Sequence, residues 1–426
     1  TEIAVETTPN RILPGPPWPH HDTEGLWSFI LDGLARLHGA HRIDAISVTT
    51  HGASAVLVAA DGSLAAPHLD YEHTGPDSVA GDYDAIRPPF SETGSPRLPM
   101  GLNVGAQLHW EFRADPGLRD RTRWVMTVPQ YWGFRLTGVA STDVTSLGCH
   151  TDLWNPVARD FSSLLGRLGL SDRIAPPRLP ADRLGPILPE VARRTGLAAE
   201  TPVTCGIHDS NASLLPHLLA RRPPFSVVST GTWVITLSVG GRPVTLDPAR
   251  DTLFNVNALG DPVASARFMG GREYDLVMAG RTARATADDV AAVVAGGVML
   301  LPAVEPRSGP FQGRAARWTV DEARLTDGQR EAALSLYLAM MTAECLAVTG
   351  ADGPIIVEGP FTRNAAYRAM LAAATGRPVT VSASATGTSI GAALLYDMTA
   401  PAETDPPVTS PDPALSAYAV RWRQLV

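Results

Sequence analysis

Four short segments hold polar residues at spacings that could do chemistry, and each has an ordinary structural reading beside the chemical one. In GIHDSNAS (206–213) an apolar strand ends at Gly206 and a helix begins almost at once. Asp209 then stands at the carboxyl end of a strand, where open α/β sheets bind their ligands. A carboxylate within reach of a substrate hydroxyl can take its proton. The same spacing suits an Asp that merely caps the helix expected over 210–220, and His208 suits a histidine with only structural partners. In VVSTGTWV (227–234) the residues Thr230, Gly231 and Thr232 form a small-residue tip between two apolar runs. Gly231 permits positive φ there, so successive N–H groups could cradle a phosphate, or the tip is a plain hairpin turn.

The third segment is FMGGREYDL (268–276), where Gly270 and Gly271 precede a helix whose N-terminus could meet an anion. The fourth is VEGPFTRNAAYRAML (357–371), where Gly359, Thr362 and Asn364 lie in a turn between a strand and a helix. Asn364 could read the edge of a base or cap that helix.

The elements that must position these residues follow from periodicity and punctuation. Helical spacing predicts helices over 24–38, 105–113, 129–136, 157–168, 188–195, 210–220, 272–280, 287–295, 327–349, 363–375 and 388–398, with one more at the C-terminus. Strands are expected over 43–50, 54–59, 202–207, 225–230, 232–239, 298–303, 354–359 and 378–382, the fourth and fifth forming a hairpin at Gly231. The pair Arg221–Arg222 with Pro223–Pro224 reads as a linker. At 426 residues the chain exceeds what one core usually serves. We therefore expect α/β architecture in two domains, 1–220 and 225–426, facing one another across a cleft.

Composition narrows the chemistry. Net charge is −8, so there is no basic excess to neutralise phosphates of a nucleic acid or lipid headgroups of an anionic membrane. No membrane span and no signal peptide are expected. The sequence contains no lysine; every basic side chain is arginine. This excludes Schiff-base catalysis and a GxxxxGK[ST] phosphate loop. Cys149, Cys205 and Cys345 form no CxxC pair and read as small buried hydrophobes in a reducing cytoplasm.

Taken in order, the segments resemble the FGGY carbohydrate kinases, specifically the rhamnulokinase and fuculokinase branch. The GxHDxxA pattern is followed by an S-x-G-T hairpin, FMGGREYDL looks like the family's F-x-x-G-x-x-x-x-L segment, and EGPFTRN stands at its adenine loop. Upstream, VTTHG (48–52), PHLDYE (67–72), QLHWE (107–111) and RLTG (135–138) resemble landmarks of its sugar domain. The resemblance implies two actin-like (ribonuclease H-like) domains flanking a catalytic cleft. It implies an ATP- and Mg²⁺-dependent sugar kinase with Asp209 as general base.

His51, Gly52, Asp70, Glu72, Gln107 and His208 would then contact a sugar such as a deoxy-ketose, or a polyol. Thr230, Gly231, Thr232, Gly270, Gly271, Gly359, Thr362 and Asn364 would contact the nucleotide. Asp70 and Glu72, flanking Tyr71 in a strand-like run, should share one face; both also suit a solvated loop. The expected partners are small molecules only, in the cytoplasm, with a homodimer allowed.

The sequence also departs from the family's pattern. Its opening D-x-G-x-[ST] loop is not found, and we expect that loop to precede position 1. Pro360 and Phe361 replace two glycines, Gln107 stands for a lysine, and Thr386 for a glutamate. Two rival readings are a non-catalytic sugar or nucleotide sensor of the same fold, and a metal-dependent hydrolase using His20, His21, Asp22 and His51, His73 or His150.

Overall fold

The computed structural model describes residues 2–382, 387–401 and 407–426. The chain folds into two units: Thr1–Ala220 with Phe254–Pro262 and Thr386–Pro401, and Arg221–Leu253 with Val263–Ala385 and Ala402–Val426.

In the first unit, the helix Thr23–Ala40 begins where the Asp22 carboxylate accepts from Gly25 N–H at 3.0 Å. Its apolar side, with Trp27, Leu31 and Leu34, packs on a core that includes Leu136, Val191 and Val203. The strand expected over 43–50 forms only at its end, as Thr49–Thr50, which pairs in parallel with Ile207–His208. Ala55–Val58 pairs antiparallel with Trp124–Thr127, a strand the sequence pattern did not separate from the following helix Val128–Thr137. The helix expected over 157–168 is replaced by a hairpin pairing Trp154–Asn155 with Asp160–Phe161, then a single turn at Leu164–Arg167. Asn155 causes this: its side-chain oxygen accepts from the N–H groups of Val157 and Ala158, an Asx turn that competes with helix.

Helix Asp209–Ala220 carries the candidate base and packs closely against Gly387–Leu394. At their crossing a Cβ on Gly391 would lie 1.8 Å from the Ala212 carbonyl oxygen, so only glycine permits this approach.

The second unit is built on a mixed sheet in the order Thr252–Val256, Pro262–Phe268, Val234–Val239, Phe225–Thr230, Ile355–Glu358, Val379–Val381. Phe225–Thr230 runs antiparallel to Val234–Val239 and parallel to Ile355–Glu358, so hairpin and crossover connections meet at one strand. The helix Asp327–Val348 opens with a capping box between Thr326 and Gln329. It is long and apolar enough to cross a membrane, which corrects the expectation that no such run exists; 83% of its apolar window is buried as core of this unit. The C-terminal helix Pro413–Leu425 adds Trp422 to that core, its indole N–H donating to Leu300 C=O at 2.8 Å.

Substituting Gly391→Ala should push the two helices apart and cost about 1–3 kcal/mol, as overpacking does. Gly39→Ala, in a helix with nothing within 4 Å of the new methyl, should be neutral or stabilising by about 0.5–1 kcal/mol. Urea unfolding of the two variants checks the contrast.

Candidate active site

Parallel pairing of Thr49–Thr50 with Ile207–His208 brings two strand ends side by side in the first unit, and each leads directly into a polar dipeptide. One end delivers His51 and Gly52, the other His208 and Asp209. The two pairs interlock, because a Cβ on Gly52 would fall 2.7 Å from the His208 ring. Any side chain at 52 would therefore displace the imidazole.

Asp209 is the first residue of its helix, and its side chain is 45% exposed. Its Oδ1 accepts from Ser210 N–H at 2.6 Å and Ser210 Oγ at 3.3 Å, and lies 3.2 Å from His208 Nε2. An N-cap would accept from the N–H two or three residues on, so this carboxylate is not acting as one. Among the described residues, Oδ2 has no partner. The carboxylate is thus pinned through one oxygen and open at the other.

Around this pair lies a cluster of imidazoles. His21 and His51 stack with ring centroids 5.9 Å apart, His21 and His68 lie at 4.5 Å, and His51 and Tyr71 at 5.0 Å. His68 Nε2 bonds Ser54 Oγ at 2.8 Å. Burial depresses all three histidines: His51 falls to about 4, with His21 contributing, and His21 and His68 also fall, His68 well below the usual range. At neutral pH they are uncharged, each offering one donor and one acceptor. Burial also raises the Tyr71 hydroxyl, helped by Glu72 and Asp70.

The other expected sugar contacts are placed differently. Residues 70–72 form a turn, not a strand, because Asp70 Oδ1 accepts from Glu72 N–H at 3.1 Å. Alternation therefore does not apply; Asp70 is half-buried and Glu72 exposed. Gln107 is 1% exposed, and its amide nitrogen is spent on the carbonyls of Ala53 and Gly101, which holds the loop behind His51. His21, His68 and Tyr71 were not singled out as sugar contacts by the sequence. The adjacent His20-His21 pair was the signal available.

The second unit contains a cavity of about 1060 Å³, within the range of ligand pockets. Three segments meet there through glycines. A Cβ on Gly271 would lie 2.3 Å from Gly231 C=O, and one on Gly359, at φ +81°, 2.0 Å from Thr230 C=O. Gly270 similarly presses on Val234.

Gly231, Thr232, Gly271 and Asn364 line the cavity, while Thr230, Gly270, Gly359 and Thr362 shape it from behind. Thr230 Oγ1 donates to Glu358 C=O and accepts from Phe361 N–H at 3.1 Å, fastening the hairpin tip to the 359–364 turn. Asn364 does cap its helix, accepting from Tyr367 N–H at 2.9 Å, and its amide nitrogen donates to Ser335 Oγ at 2.7 Å. Tyr274, Arg284, Glu331 and Phe361 are also among the lining residues. The Glu331 carboxylate accepts from Ala285 N–H at 2.9 Å and Tyr274 OH at 3.4 Å.

Among the described residues, no group of three or more His, Cys, Asp or Glu side chains could hold a metal ion. The metal-hydrolase reading has no ligand set there. The Mg²⁺ implied by the resemblance finds no such set among them either. Thr386 lies outside the described residues.

Comparison with family profiles matches residues 1–216 to the FGGY family of carbohydrate kinases, N-terminal domain, and residues 222–405 to the carbohydrate kinase FGGY, C-terminal domain. A carbohydrate kinase from Novosphingobium aromaticivorans is 36% identical, over 98% of this chain and 94% of that one, with TM-score 0.91. The chain belongs to the FGGY family of carbohydrate kinases. It is a phosphotransferase with an alcohol acceptor and has the family's two-domain, actin-like (ribonuclease H-like) fold.

Two more distant structures share the fold. Xylulose kinase from Rhodospirillum rubrum is 20% identical over 100% of this chain and 92% of that one, with TM-score 0.80. Gluconate kinase from Lactobacillus acidophilus is 16% identical over 99% and 92%, with TM-score 0.78. A search of curated proteins gives no match.

Removing the Thr230 hydroxyl leaves the half-buried Phe361 N–H without its acceptor, a loss of about 1–1.5 kcal/mol. Thr230→Val should therefore weaken ADP binding about tenfold by calorimetry, and Thr230→Ser should restore it.

Proposed function

We propose that this FGGY kinase transfers the γ-phosphoryl group of ATP to a hydroxyl of a neutral sugar, a ketose or polyol, with Asp209 as general base. The observation that carries the reading is the Asp209 carboxylate, fastened through Oδ1 with Oδ2 open, at the end of two paired parallel strands. Oδ2 is the atom that accepts the hydroxyl proton as the oxygen attacks phosphorus. The cavity of the second unit, closed by the 230–232 tip and the 359–364 turn, takes the nucleotide. Phosphoryl transfer asks a protein mainly for alignment and charge stabilisation.

Charge supports a neutral acceptor. His21, His51 and His68 are held uncharged by burial, and each pairs donor with acceptor as a sugar hydroxyl does. Asp70 and Asp209 add negative charge, and the His208 imidazole, raised toward its cation, already faces Asp209. A sugar carboxylate would meet repulsion from both aspartates. The HDSNAS and STGTW segments favour a ketose of the deoxy-sugar type.

ADP release should be seen with neutral ketoses or polyols, and at least tenfold less with D-gluconate at equal concentration. Asp209→Asn should lower kcat by about 10²–10⁴, the range for loss of a general base, while ADP binding measured by calorimetry is kept. An Asp209→Asn enzyme of wild-type activity would remove the assignment.

A further inference from the structure

A short antiparallel pairing delivers His21 to the imidazole cluster. His20 bridges Leu69, His21 N–H donates to His68 C=O at 2.9 Å, and Asp70 N–H donates to Pro19 C=O at 3.0 Å. His21 and His68 are therefore cross-strand neighbours with side chains on one face. Their rings follow, with centroids 4.5 Å apart. His20 takes the opposite face, where its Nδ1–H donates to Trp18 C=O at 2.8 Å.

The neighbours of His21 have partners within the protein. His68 Nε2 bonds Ser54 Oγ at 2.8 Å, and His51 Nδ1 accepts from Ala53 N–H at 3.3 Å. A backbone N–H can only donate, so His51 Nδ1 carries no proton, and the neutral ring carries it on Nε2. His51 thus presents a donor. His21 differs. Its side chain is 5% exposed, and its buried Nε2 has no hydrogen-bond partner among the described residues. Such an atom is costly to leave unpaired. The His21 and His51 rings lie with centroids 5.9 Å apart, inclined by 28°. One oxygen at about 2.7–3.0 Å from a nitrogen of each ring fits that span.

The chemistry of that oxygen follows from the two rings. With its proton on Nδ1, His21 offers a lone pair at Nε2, and a buried acceptor is left unpaired at less cost than a buried N–H. A group between His21 and His51 must then donate to one and accept from the other. A hydroxyl does both. A carbonyl or ether oxygen only accepts, and a methyl group does neither.

We propose that His21 is a specificity-determining residue: its Nε2 and the Nε2–H of His51 hold one hydroxyl of the acceptor sugar between them. That hydroxyl is on a carbon other than the one phosphorylated, whose oxygen belongs to Asp209. The inference rests on the reading of the first unit as the sugar site. Electrostatics agree in direction, since burial, with His20, outweighs Asp70 and lowers the His21 pKa. The lone pair is therefore available at neutral pH.

The test begins with calorimetry on the wild-type protein, using D-xylulose, D-ribulose, L-ribulose, xylitol and glycerol as probes. His21→Phe keeps a ring and loses both nitrogens. It should bind the tightest of these about 10–100-fold more weakly, with the loss in KM rather than kcat. His21→Gln, whose amide can stand in for Nε2, should recover most of the affinity.

Deoxy analogues of that probe, each lacking one hydroxyl, make the assignment specific. One of them should bind wild type and His21→Phe alike, while the others keep the full ratio. A merely structural histidine would weaken every analogue equally, and that result overturns the proposal. So does a His21→Phe protein that binds each probe as the wild type does, the outcome expected if only water meets Nε2. If His21→Phe does not fold, the wild type decides by NMR. The probe should move the ¹⁵Nε2 resonance of His21, and an unmoved resonance with sugar bound overturns the proposal. Full activity in Asp209→Asn with the His21 ratio intact would remove the base and leave the hydroxyl site standing. Sugar binding indifferent to His21 would do the reverse, and binding of none of the five probes would remove the sugar reading itself.

Discussion

The candidate chemistry of the first unit depends on a two-residue parallel pairing, Thr49–Thr50 beside Ile207–His208. Parallel strands end at the same edge, so the residues that follow them emerge together. His51, Gly52, His208 and Asp209 become neighbours for that reason alone, though most of the first unit separates them in sequence. Closeness then does the rest. Gly52 yields its side-chain volume to the His208 ring, and His208 fixes one oxygen of Asp209. The tight contact at Gly391 sets the helix that Asp209 begins.

The second unit reaches a similar end by backbone contact. Gly271 against Gly231 and Gly359 against Thr230 let three loops approach to distances that no side chain would allow. The resulting cavity is lined by short residues at one side and by Tyr274, Phe361 and Glu331 at another. Pro360 and Phe361, which stand where the family has glycines, do not close it; Phe361 packs edge-on to Tyr367 with centroids 5.1 Å apart.

Much of this was legible in the sequence where the signal is local. The helix expected over 327–349 is Asp327–Val348, and the hairpin at Gly231 forms from Phe225–Thr230 and Val234–Val239. Strong periodicity and a single turn residue suffice for such elements. The sequence was silent where partners are distant. Strands Thr252–Val256 and Pro262–Phe268 gave no clear alternation, since their order in the sheet is set by Val234–Val239. The helix over 157–168 failed because one Asn side chain redirected the backbone.

Site residues divide the same way. Asp209 and the glycines of the second unit stood out as motifs, while Gln107 and Asn364 carry the right chemistry but spend it on backbone carbonyls, a cap and a serine hydroxyl. His68 and Tyr71 carried no chemical motif of their own, and only the fold sets them beside His21 and His51. The central claim, that Asp209 Oδ2 receives the proton of the acceptor hydroxyl, is tested most directly by a crystal structure with a turned-over sugar and a nonhydrolysable ATP analogue bound. The account predicts one sugar hydroxyl within about 3 Å of Oδ2, with Oδ1 still on His208. A sugar bound with every hydroxyl out of reach of Asp209 would contradict it.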